Sequence, residues 1–223
     1  MSIQGIIFDY GRVLAHTLYE APRATWEQRL GLGPGMLTRA VHNDHTWIAA
    51  QQGHLSIDAH WQAVGTALGL TPTDTLALRA AFYRGDVLND ELVACLDTLR
   101  ARGLRTALLS NFSADLRDLL AQQDLLRRFD VVAISAEIGV MKPAPAAYQH
   151  VLARLGLEPT ACVFIDDIPA NVQAARALGV HGIVFEDNTS CLAALAALLQ
   201  PQCPHSPALG GVGAQPPTAS PPK

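Results

Sequence analysis

The stretch IIFDYGRVL, residues 6–14, places a carboxylate directly behind a short apolar run. A second apolar run, residues 162–165, ends in the pair Asp166-Asp167. Carboxylates are unfavourable inside a packed parallel sheet, but doubly wound α/β sheets open their ligand crevice at the carboxyl ends of their strands. Two strand ends that carry Asp9, Asp166 and Asp167 therefore predict a divalent cation site, and hard oxygen ligands favour Mg²⁺.

The composition is that of a globular protein. Of the 223 residues, 49% are hydrophobic and 16% are charged, which suits a buried core and argues against disorder. The net charge of −4 provides no broad basic surface, so we expect no nucleic-acid partner. We expect no signal peptide, because the first residues carry no cationic region, and the longest apolar stretch, residues 191–199, is too short to cross a bilayer. Four cysteines without CxxC spacing favour reduced thiols, so the expected location is cytoplasmic, without a membrane partner.

Strand-like and helix-like patterns alternate over most of the chain. The strand-like runs are short and mostly continuous in apolar residues, as expected of strands buried on both faces. Asn89 is placed to cap one helix, and Pro145 and Pro169 to open two others. This alternation predicts the α/β class, with a Rossmann-like, doubly wound parallel sheet as the core. The predicted strands are residues 3–8, 105–109, 131–135, 162–165 and 182–185.

Residues 15–87 break the alternation, because they present no convincing strand and several helical patterns. A helical block inserted directly after the first strand is typical of a cap over the ligand crevice. We therefore expect an α-helical cap domain at residues 15–87, a Rossmann-like core domain at residues 1–14 and 88–200, and a disordered tail at residues 201–223, rich in Pro, Gly, Ser and Ala. The expected cap helices begin at Pro22, run over residues 36–51, follow an N-cap at Ser56, and run from an N-cap at Thr73 to Tyr83.

Four segments, in the same order along the chain, resemble the motifs of the haloacid dehalogenase superfamily. Any one of them alone is weak, but four with the right spacing form a specific pattern, which covers about residues 1–200. Most members are Mg²⁺-dependent phosphohydrolases with an inserted helical cap. The resemblance implies a phosphatase that acts on a small phosphorylated metabolite, such as a sugar phosphate, through an aspartyl-phosphate. The segments are IIFDYGRVL at 6–14, LLSN at 108–111, GVMKPAPAAY at 139–148 and FIDDIPANVQAARALG at 164–179.

By position, the resemblance implies three catalytic residues. Asp9 matches the nucleophile, which would attack phosphorus and divide one difficult step into two. Ser110 matches the hydroxyl that binds a transferring phosphoryl oxygen, with the Asn111 main-chain amide beside it, and Lys142 matches the cation that bridges nucleophile and phosphate. Fourteen arginines against two lysines, Lys142 and Lys223, also indicate that a compact ammonium is needed at position 142, unless one lysine persisted by chance.

The implied metal ligands are Asp9, the main-chain carbonyl of Gly11, and Asp167, with Asp166 beside it. Most phosphatases of the superfamily carry a second Asp, the general acid and base, where this chain has Gly11. Loss of a general acid costs about 10²–10⁴ in rate. A variant of the motif has Gly at this position and usually at the next one too, where this chain has Arg12. We expect Arg12 either to bind an anionic group of the substrate or to point into water.

Three further side chains carry predictions about local structure. His42 and His45 are one helical turn apart, which is a metal-ligand spacing, but a solvated surface is the expected reason for it. Trp61 lies on an apolar helical stripe and is expected in a core. Asn171 matches the Asn that the superfamily carries in the same loop, and capping or loop hydrogen bonding is the alternative role.

Two alternative functions stay open at this point. A 2-haloacid dehalogenase would also use Asp9 and would lack the second Asp, but such relatives need no metal and lack an intact pair such as Asp166-Asp167. A catalytically impaired, phospholigand-binding regulatory protein would have no need of a nucleophile. The sequence names neither the substrate nor the oligomeric state.

Overall fold

The computed structural model describes residues 2–200, and the tail predicted at residues 201–223 lies outside them. Its strands are β1 (Gly5–Phe8), β2 (Ala15–Thr17), β3 (Asp86–Leu88), β4 (Arg105–Ser110), β5 (Val131–Ile134), β6 (Cys162–Asp166) and β7 (His181–Val184). Five of them form a parallel sheet in the order β5-β4-β1-β6-β7, and β2 pairs with β3 in an antiparallel ribbon. The α/β class and the five predicted core strands are confirmed, with bounds shifted by one or two residues.

The strand order places the carboxyl ends of β4, β1 and β6 side by side. Phe8, the last residue of β1, is level with Leu108 on one side and with Ile165 on the other. The chain leaves β1 toward β4 and β5 and later returns to β6 on the opposite side, so the direction of winding reverses at β1. In open α/β sheets, ligands bind at this reversal, outside the carboxyl ends of the strands.

Helices cover both faces of the parallel sheet. Those of the described residues are α1 (Ala21–Leu30), α2 (Met36–Val41), α3 (Thr46–Gln51), α4 (Ile57–Ala67), α5 (Pro72–Phe82), α6 (Asp90–Ala101), α7 (Leu116–Gln122), α8 (Ser135–Ile138), α9 (Pro145–Leu155), α10 (Pro169–Ala177) and α11 (Asn188–Leu199), with 3-10 turns at Leu126–Arg128 and Pro159–Ala161. Ile6 and Phe8 pack with α6, α7 and α11, whereas Ile7 packs with α9 and α10 on the other face. All three side chains are fully buried, because successive residues of the strand point to opposite faces of the sheet and helices cover both faces. Among the described residues, no helix combines the length and the hydropathy needed to cross a membrane.

The prediction that residues 15–87 contain no strand was wrong. β2 follows the first motif directly and pairs with β3, with Ala15 opposite Leu88. Thr17 Oγ1 donates to Asp86 Oδ1 at 2.6 Å at the far end of the pair. Each strand has only three residues, most of them half-buried. A strand of this length is too short to produce an alternating pattern in the sequence.

The single helix predicted over residues 36–51 was also wrong, because two helices, α2 and α3, occupy that range. Asn43 Oδ1 accepts from the main-chain amides of His45 at 3.0 Å and Thr46 at 2.8 Å. A short polar side chain that bonds to nearby amides in this way offers the backbone an alternative to the helical partners. His42 therefore ends one helix and His45 begins the next, and the two do not share a helical face.

The predicted helix starts are confirmed except for one. Ser56 Oγ accepts from the Ala59 amide, and Asn89 Oδ1 accepts from the Leu92 amide. The N-cap of α5 is Thr71 rather than Thr73, since Pro72 occupies the first turn and its fixed φ suits that position.

Residues 21–82, which we name the helical segment, have an apolar cluster of their own. Trp61 and Phe82 are almost fully buried in it, so the prediction of a core role for Trp61 is confirmed. The segment also reaches the parallel sheet's loops, where the rings of Trp47 and Phe112 meet edge to face with 5.3 Å between centroids. The division into a core domain and a cap domain stays a prediction.

Candidate active site

Three carboxylates meet where β1 and β6 end. Asp9 follows β1, Asp166 is the last residue of β6, and Asp167 comes next in the chain. One carboxylate oxygen from each lies within 4.8 Å of the others. Within residues 2–200, this is the one group of three or more His, Cys, Asp or Glu side chains spaced to hold a metal ion. The convergence predicted from the sequence is therefore present.

Lys142, in the loop between α8 and α9, inserts its ammonium between two of these carboxylates. Its Nζ lies 2.8 Å from Asp9 Oδ1 and 2.6 Å from Asp166 Oδ2. Lys142 is 4% exposed and Asp166 is fully buried, so water screens these charges little. Burial raises the pKa of Asp9, and the Asp166 carboxylate adds to this, while the Lys142 ammonium opposes it.

Asp166 is held by the first turn of α10 as well as by Lys142. The Asn171 side-chain amide lies 3.1 Å from both carboxylate oxygens, and the Ile168 amide donates to Oδ1 at 2.8 Å. Asn171 lies within α10 rather than in a loop, its side chain does not cap the helix, and its main-chain oxygen accepts from Tyr148 at 2.8 Å. Each oxygen of Asp166 already has a protein partner.

Asp167 is less enclosed, and Arg12 lies at its rim. Arg12 Nε is 3.3 Å from Asp167 Oδ2, while 83% of the Arg12 side chain is exposed. Burial raises the pKa of Asp167, and the neighbouring Asp166 adds to the effect. Arg12 has a φ of 60°, in the left-handed region that favours glycine, the residue that the motif variant usually carries at this position.

Gly11 itself has no such backbone requirement. Its φ is not in the left-handed region, and a Cβ built on it would meet no atom within 4 Å. Nothing in the surrounding packing therefore excludes an acidic side chain there, although the chain carries none.

The loop after β4 brings Ser110 and Asn111 to the same edge of the sheet. Ser110 is buried, and its hydroxyl has no hydrogen-bond partner among residues 2–200. The Asn111 side chain is occupied by Lys142: Nδ2 donates to the Lys142 main-chain oxygen and Oδ1 accepts from its amide, both at 2.8 Å. Only the main-chain amide of Asn111 is left for the substrate role predicted for this residue.

The two hydrogen bonds from the Asn111 side chain to the Lys142 main chain, which we call the clamp on Lys142, were not predicted from the sequence. Asn111 and Lys142 are 31 positions apart and belong to different motifs. Each motif suggests a role of its own, and no local pattern links an asparagine to a distant main chain. Gln51, which donates to the Asn111 main-chain oxygen at 2.7 Å, was missed for the same reason.

Comparison with known proteins identifies the family. A family profile described as haloacid dehalogenase-like hydrolase matches residues 4–179. The chain belongs to that family. Solved structures agree with this fold: one is a HAD-like family hydrolase of Porphyromonas gingivalis, with a TM-score of 0.73, 24% identity, and coverage of 91% of this chain and all of that one. Another is a HAD family enzyme of Bacteroides thetaiotaomicron in complex with magnesium and inorganic phosphate, with a TM-score of 0.70, 20% identity, and coverage of 86% and 99%.

Two curated relatives illustrate the range of proteins that share this sequence pattern. Acyl-CoA dehydrogenase family member 10 of Mus musculus is 27% identical over 210 residues, which are 89% of this chain but only 19% of that protein. Sesquiterpene phosphatase astK of Aspergillus oryzae is 28% identical over 153 residues, which are 66% of this chain and 76% of that one. The chain thus spans about a fifth of the length of the first relative.

Proposed function

We propose that the chain is a Mg²⁺-dependent phosphatase that hydrolyses a small phosphorylated metabolite through an aspartyl-phosphate on Asp9. The observation that carries the proposal is the buried ion pair of Lys142 with Asp9, beside two further carboxylates, at the ligand-binding edge of the sheet. Membership in a hydrolase family supports the reaction class, and one relative is named a phosphatase.

The donor set at this edge fits Mg²⁺. Three carboxylates face one buried ammonium, and this excess of negative charge adds to burial in keeping the pKa values of Asp9 and Asp167 high. We assign Asp9, Asp167 and the Gly11 carbonyl as direct ligands. Asp166 stands behind them, because its oxygens already have protein partners. Bound Mg²⁺ would supply positive charge to a phosphoryl oxygen as negative charge develops there.

The chain's own residues divide the remaining work. Lys142 contacts Oδ1 of Asp9 and so orients the carboxylate and favours its ionised form. An Asp9 oxygen bonds to phosphorus while the bond from phosphorus to the ester oxygen breaks; water then attacks phosphorus and releases phosphate and the free carboxylate. The unpartnered Ser110 hydroxyl and the main-chain amide of Asn111 are assigned to donate to phosphoryl oxygens.

The absence of an acidic side chain at Gly11 affects which phosphate esters the chain hydrolyses fastest. Since no acid is present at this position, the departing oxygen carries more negative charge in the transition state. We infer a preference for aryl, acyl or anomeric sugar phosphates, whose leaving groups are acidic, over primary alkyl phosphates. Arg12 is assigned to bind an anionic group of the substrate, because its largely exposed guanidinium lies at the rim of the carboxylate cluster.

The helical segment is assigned the role of a cap. It follows β1 and β2 directly, and Trp47 reaches Phe112, which comes two residues after Ser110. A lid at this position excludes water and limits the substrate to a small molecule.

A phosphate-release screen over phosphorylated metabolites, with Mg²⁺ or with EDTA, tests the proposal, and Asp9→Asn provides the matched control. We expect Mg²⁺-dependent release from at least one small ester and none from the variant. Halide release from 2-haloacids without metal, and no phosphate release, would point to the dehalogenase reaction instead.

A further inference from the structure

Gln51, the last residue of α3, joins the helical segment to the loop after β4. Its side-chain Nε2 donates to the Asn111 main-chain oxygen at 2.7 Å. Its own main-chain oxygen accepts from Ser135 Oγ at 2.6 Å, and the Phe112 amide donates to the same hydroxyl oxygen at 3.0 Å. Gln51 is 8% exposed, so water competes little for these hydrogen bonds. The residue is thus fixed to the core by both its side chain and its main chain.

These contacts continue into the carboxylate cluster. The Asn111 side chain holds the main chain of Lys142 through two hydrogen bonds of 2.8 Å. The Lys142 ammonium in turn meets Asp9 and Asp166. An unbroken path of hydrogen bonds therefore leads from Gln51 through Asn111 to Lys142 and the nucleophile, and each member is at least half-buried.

The path depends on how α3 sits against the core. At Gly53, two residues after Gln51, a Cβ would lie 2.4 Å from the main-chain oxygen of Ala136, and φ is +75°. Glycine is required for so close an approach. On the other side of Gln51, the Trp47 ring packs edge to face on Phe112. Contacts on both sides of Gln51 thus hold its side-chain amide against the Asn111 main-chain oxygen.

We propose that Gln51 is a positioning residue that couples the seated helical segment to Lys142. With α3 in place, Gln51 restrains the Asn111 peptide, and Asn111 holds Lys142 so that the ammonium is aligned on Asp9. When α3 lifts, the Asn111 oxygen loses its donor and the clamp on Lys142 loosens. The catalytic consequence rests on the proposed function, whereas the physical link from Gln51 to Lys142 does not.

The variants Gln51→Ala and Gln51→Glu test this link. Glutamate keeps the size of the side chain but presents an acceptor to the Asn111 oxygen, where a donor is needed. Gln52→Ala is the control, since Gln52 is the next residue and its side chain makes no hydrogen bond to another described residue. The first measurement is hydrogen exchange at the Lys142 amide, whose partner is Asn111 Oδ1. The second is kcat and KM with p-nitrophenyl phosphate and Mg²⁺.

We expect the Lys142 amide to exchange about tenfold faster in both Gln51 variants, the order of effect of one lost buried hydrogen bond. In the same variants kcat should fall about tenfold, with KM changed less than about twofold. Amides of β1 serve as an internal reference for the intact fold, and Gln51→Glu alone decides the matter if Gln51→Ala does not fold. Exchange at Lys142 and kcat equal to those of Gln52→Ala would overturn the proposal. A parent protein that hydrolyses no phosphate ester would overturn the proposed function instead, and exchange at Lys142 would still decide whether the link exists.

Discussion

Replacing Lys142 by methionine removes the buried ammonium from between Asp9 and Asp166 and keeps a straight side chain of similar length. Both carboxylates lie within 2.8 Å of Nζ, and Asp166 is fully buried. Removal of one partner of a buried ion pair costs about 3–5 kcal/mol, because it leaves an uncompensated charge. In a protein of this size, 1 kcal/mol shifts the unfolding temperature by about 2–4 °C, so we expect a fall of about 6–20 °C.

The control for this variant is Arg127→Met, which breaks an exposed ion pair. Arg127 and Asp124 are 72% and 58% exposed, so their pair contributes less than about 1 kcal/mol. The assay is thermal and urea unfolding in EDTA at neutral pH. Adding Asp166→Asn to Lys142→Met should restore part of the lost stability, because it removes the orphaned charge. A Lys142→Met protein as stable as Arg127→Met would refute the buried pair.

The pH dependence of the same variant provides a second check. Because the folded-state pKa of Asp9 is raised, the stability associated with its protonated form is present at low pH and is lost as the pH rises through that pKa. Without the ammonium, the pKa of Asp9 rises further. The free energy of unfolding that Lys142→Met loses relative to the parent should therefore be smaller at about pH 4.5 than at about pH 7.5. A deficit that does not change with pH would contradict this account of the Asp9 environment.

Three further predictions concern the carboxylates and Gly11. Asp9→Asn should abolish phosphate release while the unfolding temperature changes little, because the Lys142 ammonium keeps Asp166 as its partner, and wild-type turnover by this variant would exclude Asp9 as the nucleophile. Mg²⁺ should raise the unfolding temperature of the parent protein but not of Asp167→Asn; without Mg²⁺ the variant should be no less stable than the parent, since it removes a carboxyl group whose pKa is raised. Gly11→Asp should raise kcat/KM on primary alkyl phosphates about tenfold and flatten the dependence of rate on leaving-group pKa, whereas a flat dependence in the parent would mean that another group already supplies the proton.

The parts of the site that were predictable from the sequence are those that follow strand ends. Asp9 and the pair Asp166-Asp167 each come directly after an apolar run, and parallel neighbours place such residues at one edge. Lys142 was singled out by its rarity and by its motif, and the structure places its ammonium between two carboxylates. Local pattern and topology therefore sufficed for the centre of the cluster.

What the sequence did not reveal depends on contacts between distant segments or on a single side chain. Nothing in the sequence near Gln51 indicates that its side-chain amide donates to the main-chain oxygen of Asn111, 60 positions away. The break between α2 and α3 depends on Asn43, whose side chain competes with the helix in a range that otherwise looks helical. The left-handed backbone at Arg12 is equally hidden, because arginine is not a residue that marks such a conformation.

The measurement that tests the central claim most directly is detection of the covalent intermediate on Asp9. The protein is mixed with ³²P-labelled acetyl phosphate and Mg²⁺, quenched in acid, and digested, and the labelled peptide is identified by mass spectrometry. We predict label on the peptide that contains Asp9, loss of the label with hydroxylamine, as expected of an acyl phosphate, and no label in Asp9→Asn. Turnover without label on Asp9, or label on Ser110, would contradict the assignment of Asp9 as the nucleophile.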